Sequence, residues 1–109
     1  MKKIIILAAI FGAASVLCVR ADSAADNWTN KCAKCHGDDG KGQTKMGQRL
    51  KVRDYTDATV QASFKDADAF NALKQGLKDA DGKTQMRPFD TLSDSDLNAL
   101  VAYVRALKK

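Results

Sequence analysis

Strand patterning, proline, histidine and cysteine are all scarce in this chain of 109 residues, and each shortage removes a class of protein. No stretch alternates apolar and polar side chains for long, and the β-branched residues are scattered. That argues against a sheet-based fold and predicts an all-α one. Of the three cysteines, Cys18 lies in an N-terminal apolar run, which leaves Cys32 and Cys35. Those two are too close together to staple distant parts of a fold, so there is no disulfide framework. A structural zinc site needs four ligands, and Cys32, Cys35 and the single histidine, His36, have no second half. A thioredoxin-like pair would sit beside a βαβ pattern, and the strands for one are missing.

The long hydrophobic run that does occur is at the N-terminus. Lys2 and Lys3 precede the apolar stretch Ile4 to Val19, and Val19 and Ala21 place small residues where a signal peptidase reads. Residues 1–21 are therefore expected to be a cleaved signal peptide, followed by one small domain over residues 22–109. The run is short of the roughly 20 apolar residues of a membrane span. The rival reading is an uncleaved anchor; a lipoprotein signal at Cys18 is disfavoured by Leu17 before it. Without Lys2, Lys3 and Arg20, Lys+Arg falls from 18 to 15 against 13 aspartates, so the net charge drops from +5 to +2. The basic character belongs largely to the signal, which leaves no case for nucleic-acid binding.

The remainder reads as helix, loop, helices, loop, helix. A first helix is expected from about Ala24, capped by Ser23 or Asp22, with Trp28 one turn before Cys32 and facing the core. Glycine, lysine and aspartate fill residues 37–54, which predicts a long loop. Helices follow over 57–63 and over 66–75, the latter capped by Asp66 and closed by Gly76. Residues 78–89 read as a second polar loop, carrying Met86 and the only proline, Pro88. The last helix starts at Ser93, with Asp96 at its third position, and Leu97, Leu100, Val101, Val104 and Leu107 form one buried stripe.

The chemistry concentrates in Cys32-Ala33-Lys34-Cys35-His36. Two thiols three positions apart with an imidazole directly after them form the attachment signature of a c-type haem. On one helical turn the two sulfurs can reach the two vinyl groups on one edge of a porphyrin. His36 then lies under the iron. Consuming both thiols in thioethers also resolves the mismatch between an export signal and the lack of disulfides.

With that motif in place the chain resembles the small class I cytochromes c. Cys32 to Gly37 matches the family's haem motif, Lys83 to Phe89 its methionine-ligand loop, and Leu92 to Val104 its C-terminal helix. The resemblance covers nearly all of residues 22–109. It implies a small cytochrome c fold in which the N- and C-terminal helices cross and helices and loops enclose one covalent haem c. Carried over, Cys32 and Cys35 make the thioethers, while His36 and Met86 are the axial iron ligands. Met46 is set aside because it leaves from the proximal side. Two departures stand out: Arg87 separates Met86 from Pro88, and no proline follows the haem motif to accept a hydrogen bond from His36.

Tyr55 with Arg49, Lys51 or Arg53 are candidates for the propionates, and Trp28 with Tyr103 for the crossing of the two terminal helices. The implied role is a periplasmic one-electron carrier and not an enzyme. Its partners would be a membrane oxidoreductase as donor and an oxidase or reductase as acceptor, with no stable membrane insertion after cleavage. If Met86 is not a ligand, the alternative is a five-coordinate haem protein suited to gas sensing or peroxidase-like chemistry.

Overall fold

The structure, a computed structural model, describes residues 21–109; the expected signal peptide falls outside them except for Ala21. The chain is helical from Ala21. α1 (Ala21–Asn27) passes into a π-helical turn (Trp28–Cys32) and then α2 (Ala33–His36). Asp22 and Ser23 lie inside α1, so neither is its cap. In the π turn the Ala33 amide donates to the Trp28 carbonyl, five residues back. Such widened turns recur at functional sites, and this one leads into the two cysteines. No propensity signal in the sequence marks it.

Residues 37–54 are not a plain loop. They contain α3 (Lys45–Leu50), whose cap is Thr44: its Oγ1 accepts from the Gly47 amide at 2.8 Å. α3 packs on α2, closely enough that a side chain on Gly47 would run into the Cys35 carbonyl. α4 (Ala58–Ala62) is capped by the Asp57 carboxylate. α5 (Asp66–Gln75) has the expected bounds, but Asp66 is its first helical residue and not its cap. Lys65 is the cap position, and its amide donates to Asp68 Oδ2 at 3.1 Å. Asp66 is instead drawn to Arg105, 2.7 Å away.

The second polar loop also carries structure. β1 (Leu77–Lys78) and β2 (Thr84–Met86) pair antiparallel, with Leu77 opposite Met86. Asp79 turns the hairpin by accepting from the Asp81 and Lys83 amides, each at 2.9 Å. Too short for an alternation to register, these strands leave the fold all-α in class. α6 (Asp94–Ala106) closes the molecule with a reciprocal cap: Ser93 Oγ accepts from the Asp96 amide, and Asp96 Oδ2 from the Ser93 amide.

Packing follows from the stripe on α6. Leu97, Leu100 and Val101 are buried, and α6 lies across both α1 and α5. Trp28, Cys32 and Leu100 form the centre of the core, against which Leu73, Phe89, Leu92, Tyr103 and Leu107 are packed. Trp28 meets Tyr103 at 5.3 Å between ring centroids, which fixes the crossing of the first and last helices. A polar clasp joins α4 to α6. The buried Gln61 donates to the Tyr55 and Val104 carbonyls at 2.7 and 2.8 Å. Arg105 donates to the Gln61 and Phe64 carbonyls and lies 4.2 Å over the Phe64 ring.

Candidate haem site

Helix geometry brings Cys32, Cys35 and His36 together, as their spacing requires. Both thiols are free, Cys32 buried and Cys35 half-buried. Burial pushes the Cys32 thiol up to about 11, despite the opposing charge of Lys31. In the folded chain it is therefore a protonated thiol rather than a thiolate at neutral pH. His36 lies near two tilted aromatic rings, with its centroid 5.7 Å from Trp28 and 5.4 Å from Tyr55. Burial lowers its pKa, so the ring is neutral, the state in which imidazole binds a metal.

The segment after the motif is clamped to it. The Gly42 amide donates to the His36 carbonyl at 2.8 Å, and Trp28 Nε1 donates to the Gly37 carbonyl at 3.0 Å. Thr44 Oγ1 donates to the Cys35 carbonyl at 2.6 Å. Thr44 and Gln61, which organise the surroundings of the site, were not singled out from sequence. A Thr three residues before Gly47 is a recognisable cap signal for the former; a buried glutamine leaves none.

Met86 comes from a different part of the fold, at the end of β2, and is half-buried. Two contacts fix its loop. Gly76 has a φ of 75°, and a side chain there would meet the Met86 carbonyl at 2.6 Å and the Pro88 nitrogen at 2.9 Å. The Phe89 amide donates to the Leu73 carbonyl at 2.9 Å, and Phe89 packs on the core that contains Cys32. Arg87 and Pro88 are exposed. Of the propionate candidates, Tyr55 lies beside His36, and Arg49, Lys51 and Arg53 are exposed.

A haem fits the donor set present. A ring that burial keeps neutral at neutral pH stands one residue beyond a pair of free thiols, while the Nδ1 hydrogen bond expected to a carbonyl between Gly40 and Gly47 is not made. Among the described residues no group of three or more His, Cys, Asp or Glu is placed to hold a bare metal ion. A small helical protein built around a Cys-x-x-Cys-His turn is thus the class that fold and site define.

The family model described as cytochrome c matches residues 21–108. Among solved structures, the KustC0563 c-type cytochrome is similar at 31% identity and a TM-score of 0.68, over 79% of this chain and 98% of that one. A tyrosine-to-phenylalanine mutant of Kustc0563 matches at 30% identity and a TM-score of 0.66, over 79% and 99%. Comparison with curated proteins gives no match. The chain belongs to the cytochrome c family. Its cofactor is a single covalently bound haem c, its general role is to carry electrons, and its partners are redox proteins. No helix among the described residues is long and apolar enough to cross a membrane.

Proposed function

We propose that this protein is an exported, periplasmic monohaem carrier that moves one electron between respiratory partners and makes or breaks no substrate bond. Cys32 and Cys35 hold the haem through thioethers, and His36 and Met86 ligate its iron. When bound, that haem supplies a ferric/ferrous couple whose potential the thioether ligand raises, because soft sulfur favours ferrous iron. Held by two side chains of this chain, the iron would be left to pass electrons rather than to bind a substrate. The chain's own part is to hold His36 neutral beside Trp28 and Tyr55, and to bring the Met86 loop against the core.

The observation that carries the reading is Phe89. Three residues beyond Met86, it is seated on the Trp28–Cys32–Leu100 core and bonded to Leu73, which draws the methionine loop toward the cysteine turn. Export rests on the pattern of residues 1–21, which suits the compartment where a thiol pair is otherwise oxidised.

The test is the ferric absorption spectrum of the holoprotein. A weak band at the red end, characteristic of sulfur ligation, is expected in the wild type and lost in Met86→Ala. Its absence from the wild type would overturn Met86 as ligand and leave the five-coordinate alternative.

A further inference from the structure

Arg105, in the last turn of α6, makes more side-chain contacts than packing two helices together requires. All three nitrogens of its guanidinium donate to the segment 61–66. Nε donates to Asp66 at 2.7 Å and Nη2 to the Phe64 carbonyl at 2.8 Å. Nη1 donates to the Gln61 carbonyl and to Gln61 Oε1. A planar fork held at several acceptors fixes its neighbours in one arrangement, which a single ammonium group cannot do.

Two routes lead from this fork to Tyr55. In the first, Gln61 Nε2 donates to the Tyr55 carbonyl at 2.7 Å. In the second, the guanidinium lies 4.2 Å over the Phe64 ring, and Phe64 meets the Tyr55 ring edge-on at 6.0 Å and 78°. The main chain and the ring of Tyr55 are thus both tied to Arg105. Tyr55 in turn lies 5.4 Å from His36.

His36 depends on its neighbours for orientation. A ligating imidazole is ordinarily aligned by a hydrogen bond from its second nitrogen, and His36 Nδ1 is buried without a partner. That leaves the rings beside it, Trp28 and Tyr55, to set its plane. Trp28 is locked by burial and by its bond to the Gly37 carbonyl. Tyr55 is only half-buried, and the clasp supplies what burial does not. Gln61 fits this account as well. A buried leucine would need no partners, whereas a fully bonded polar network specifies a unique arrangement.

We propose that Arg105 is a positioning residue for the haem site: through Gln61 and Phe64 it holds the Tyr55 ring that orients the His36 imidazole. This rests on His36 being an iron ligand and is independent of Met86.

The test uses untagged ferric holoprotein. His36 is the only histidine, so ring-labelled histidine reports that side chain alone by nitrogen-15 NMR. The haem methyl proton shifts of the same samples follow the plane of the axial imidazole. Arg105→Met keeps the aliphatic stem and removes the fork, and is expected to shift both sets of resonances. Asp66→Asn alters only the charge of one exposed partner and should leave both in place. Ser93→Ala removes the cap at the other end of α6, so it lowers stability but should leave both in place too. Tyr55→Phe keeps the ring and should retain the wild-type pattern, which Tyr55→Leu should lose.

Wild-type resonances in Arg105→Met overturn the proposal, as do equal shifts from Ser93→Ala or Asp66→Asn. Equal shifts from Tyr55→Phe and Tyr55→Leu overturn it as well, because the hydroxyl and not the ring would then act. Should Arg105→Met fail to retain haem, Arg105→Lys keeps the charge without the fork and must still shift both sets. A wild-type histidine ring with the shifts of an unligated imidazole overturns His36 as ligand itself, before any variant is compared.

Discussion

The Thr44 hydroxyl donates to the Cys35 carbonyl at 2.6 Å and accepts from the Gly47 amide at 2.8 Å, so one side chain caps α3 and ties it to the cysteine turn. Thr44→Val keeps the shape and removes both bonds. Loss of a cap costs about 0.5–2 kcal/mol, and the freed Cys35 carbonyl adds to that, so a total of roughly 2–3 kcal/mol is expected. Thr44→Ser should restore most of it. Denaturant unfolding of the holoprotein, followed through haem absorption, reads both values. A Val variant as stable as the wild type would show that the bond to Cys35 contributes nothing.

The clasp between α4 and α6 makes a sharper distinction, between a buried hydrogen-bonding group and a surface ion pair. Gln61, 5% exposed, satisfies the Tyr55 and Val104 carbonyls. Gln61→Leu leaves the Tyr55 carbonyl without a donor and the Val104 carbonyl with only the Leu107 amide, and should cost about 1–3 kcal/mol. Asp66→Asn removes only the charge of Arg105's exposed partner and should cost less than about 1 kcal/mol. The red absorption band should persist in both variants, because neither residue touches the iron's proposed ligands. Thermal melts alongside spectra separate the two effects.

An acid limit on stability is expected at Asp54. Hydrogen bonds from the Thr56 hydroxyl and amide, at 2.6 and 2.8 Å, hold its carboxyl below the usual carboxylate range. A folded-state pKa below the unfolded one means that the unfolded chain binds the extra proton. The stabilisation is therefore complete above the unfolded value and lost as pH falls through the folded one. Asp54→Asn should flatten that part of the stability–pH curve, between about pH 4 and the lowered pKa, so that the variant is less stable than the wild type at neutral pH and the difference closes in acid. Parallel denaturation series from pH 3 to pH 7, as approximate bounds, provide the comparison.

Much of this was legible from sequence, and what was missed has physical causes. The α6 stripe could be read because its residues recur at helical spacing and because Ser93 and Asp96 form a reciprocal cap. The cysteine turn could be read because its chemistry dictates its spacing. α3 was hidden because Gly47 sits in the middle of it, a residue that usually marks a loop; here it is present because the helix lies against the Cys35 carbonyl. The hairpin around Asp79 is too short to show a period, and the π turn has no sequence code at all. Asp66 was misread as a cap because its real partner, Arg105, is remote in sequence. Tertiary contacts override local rules in each of these cases.

The Met86 loop offers the most direct check of how the fold sets the proposed second ligand of the iron. Gly76 holds a φ of 75°, and any side chain there strikes the Met86 carbonyl and the Pro88 ring. Gly82, in the hairpin turn, has nearly the same φ of 79° but open space around it. Gly82→Ala therefore suffers only the left-handed backbone strain, about 1–2 kcal/mol. Gly76→Ala suffers the same strain and must also push the loop outward, so it should lose more stability than Gly82→Ala. It should also hold Met86 less firmly: the red band weakens, and added imidazole displaces the methionine at lower concentration than in the wild type. Imidazole titrations of the three ferric proteins measure this directly. If Gly76→Ala and Gly82→Ala titrate alike, contact with Gly76 does not position Met86, and the bond from Phe89 to Leu73 is left as the element that does.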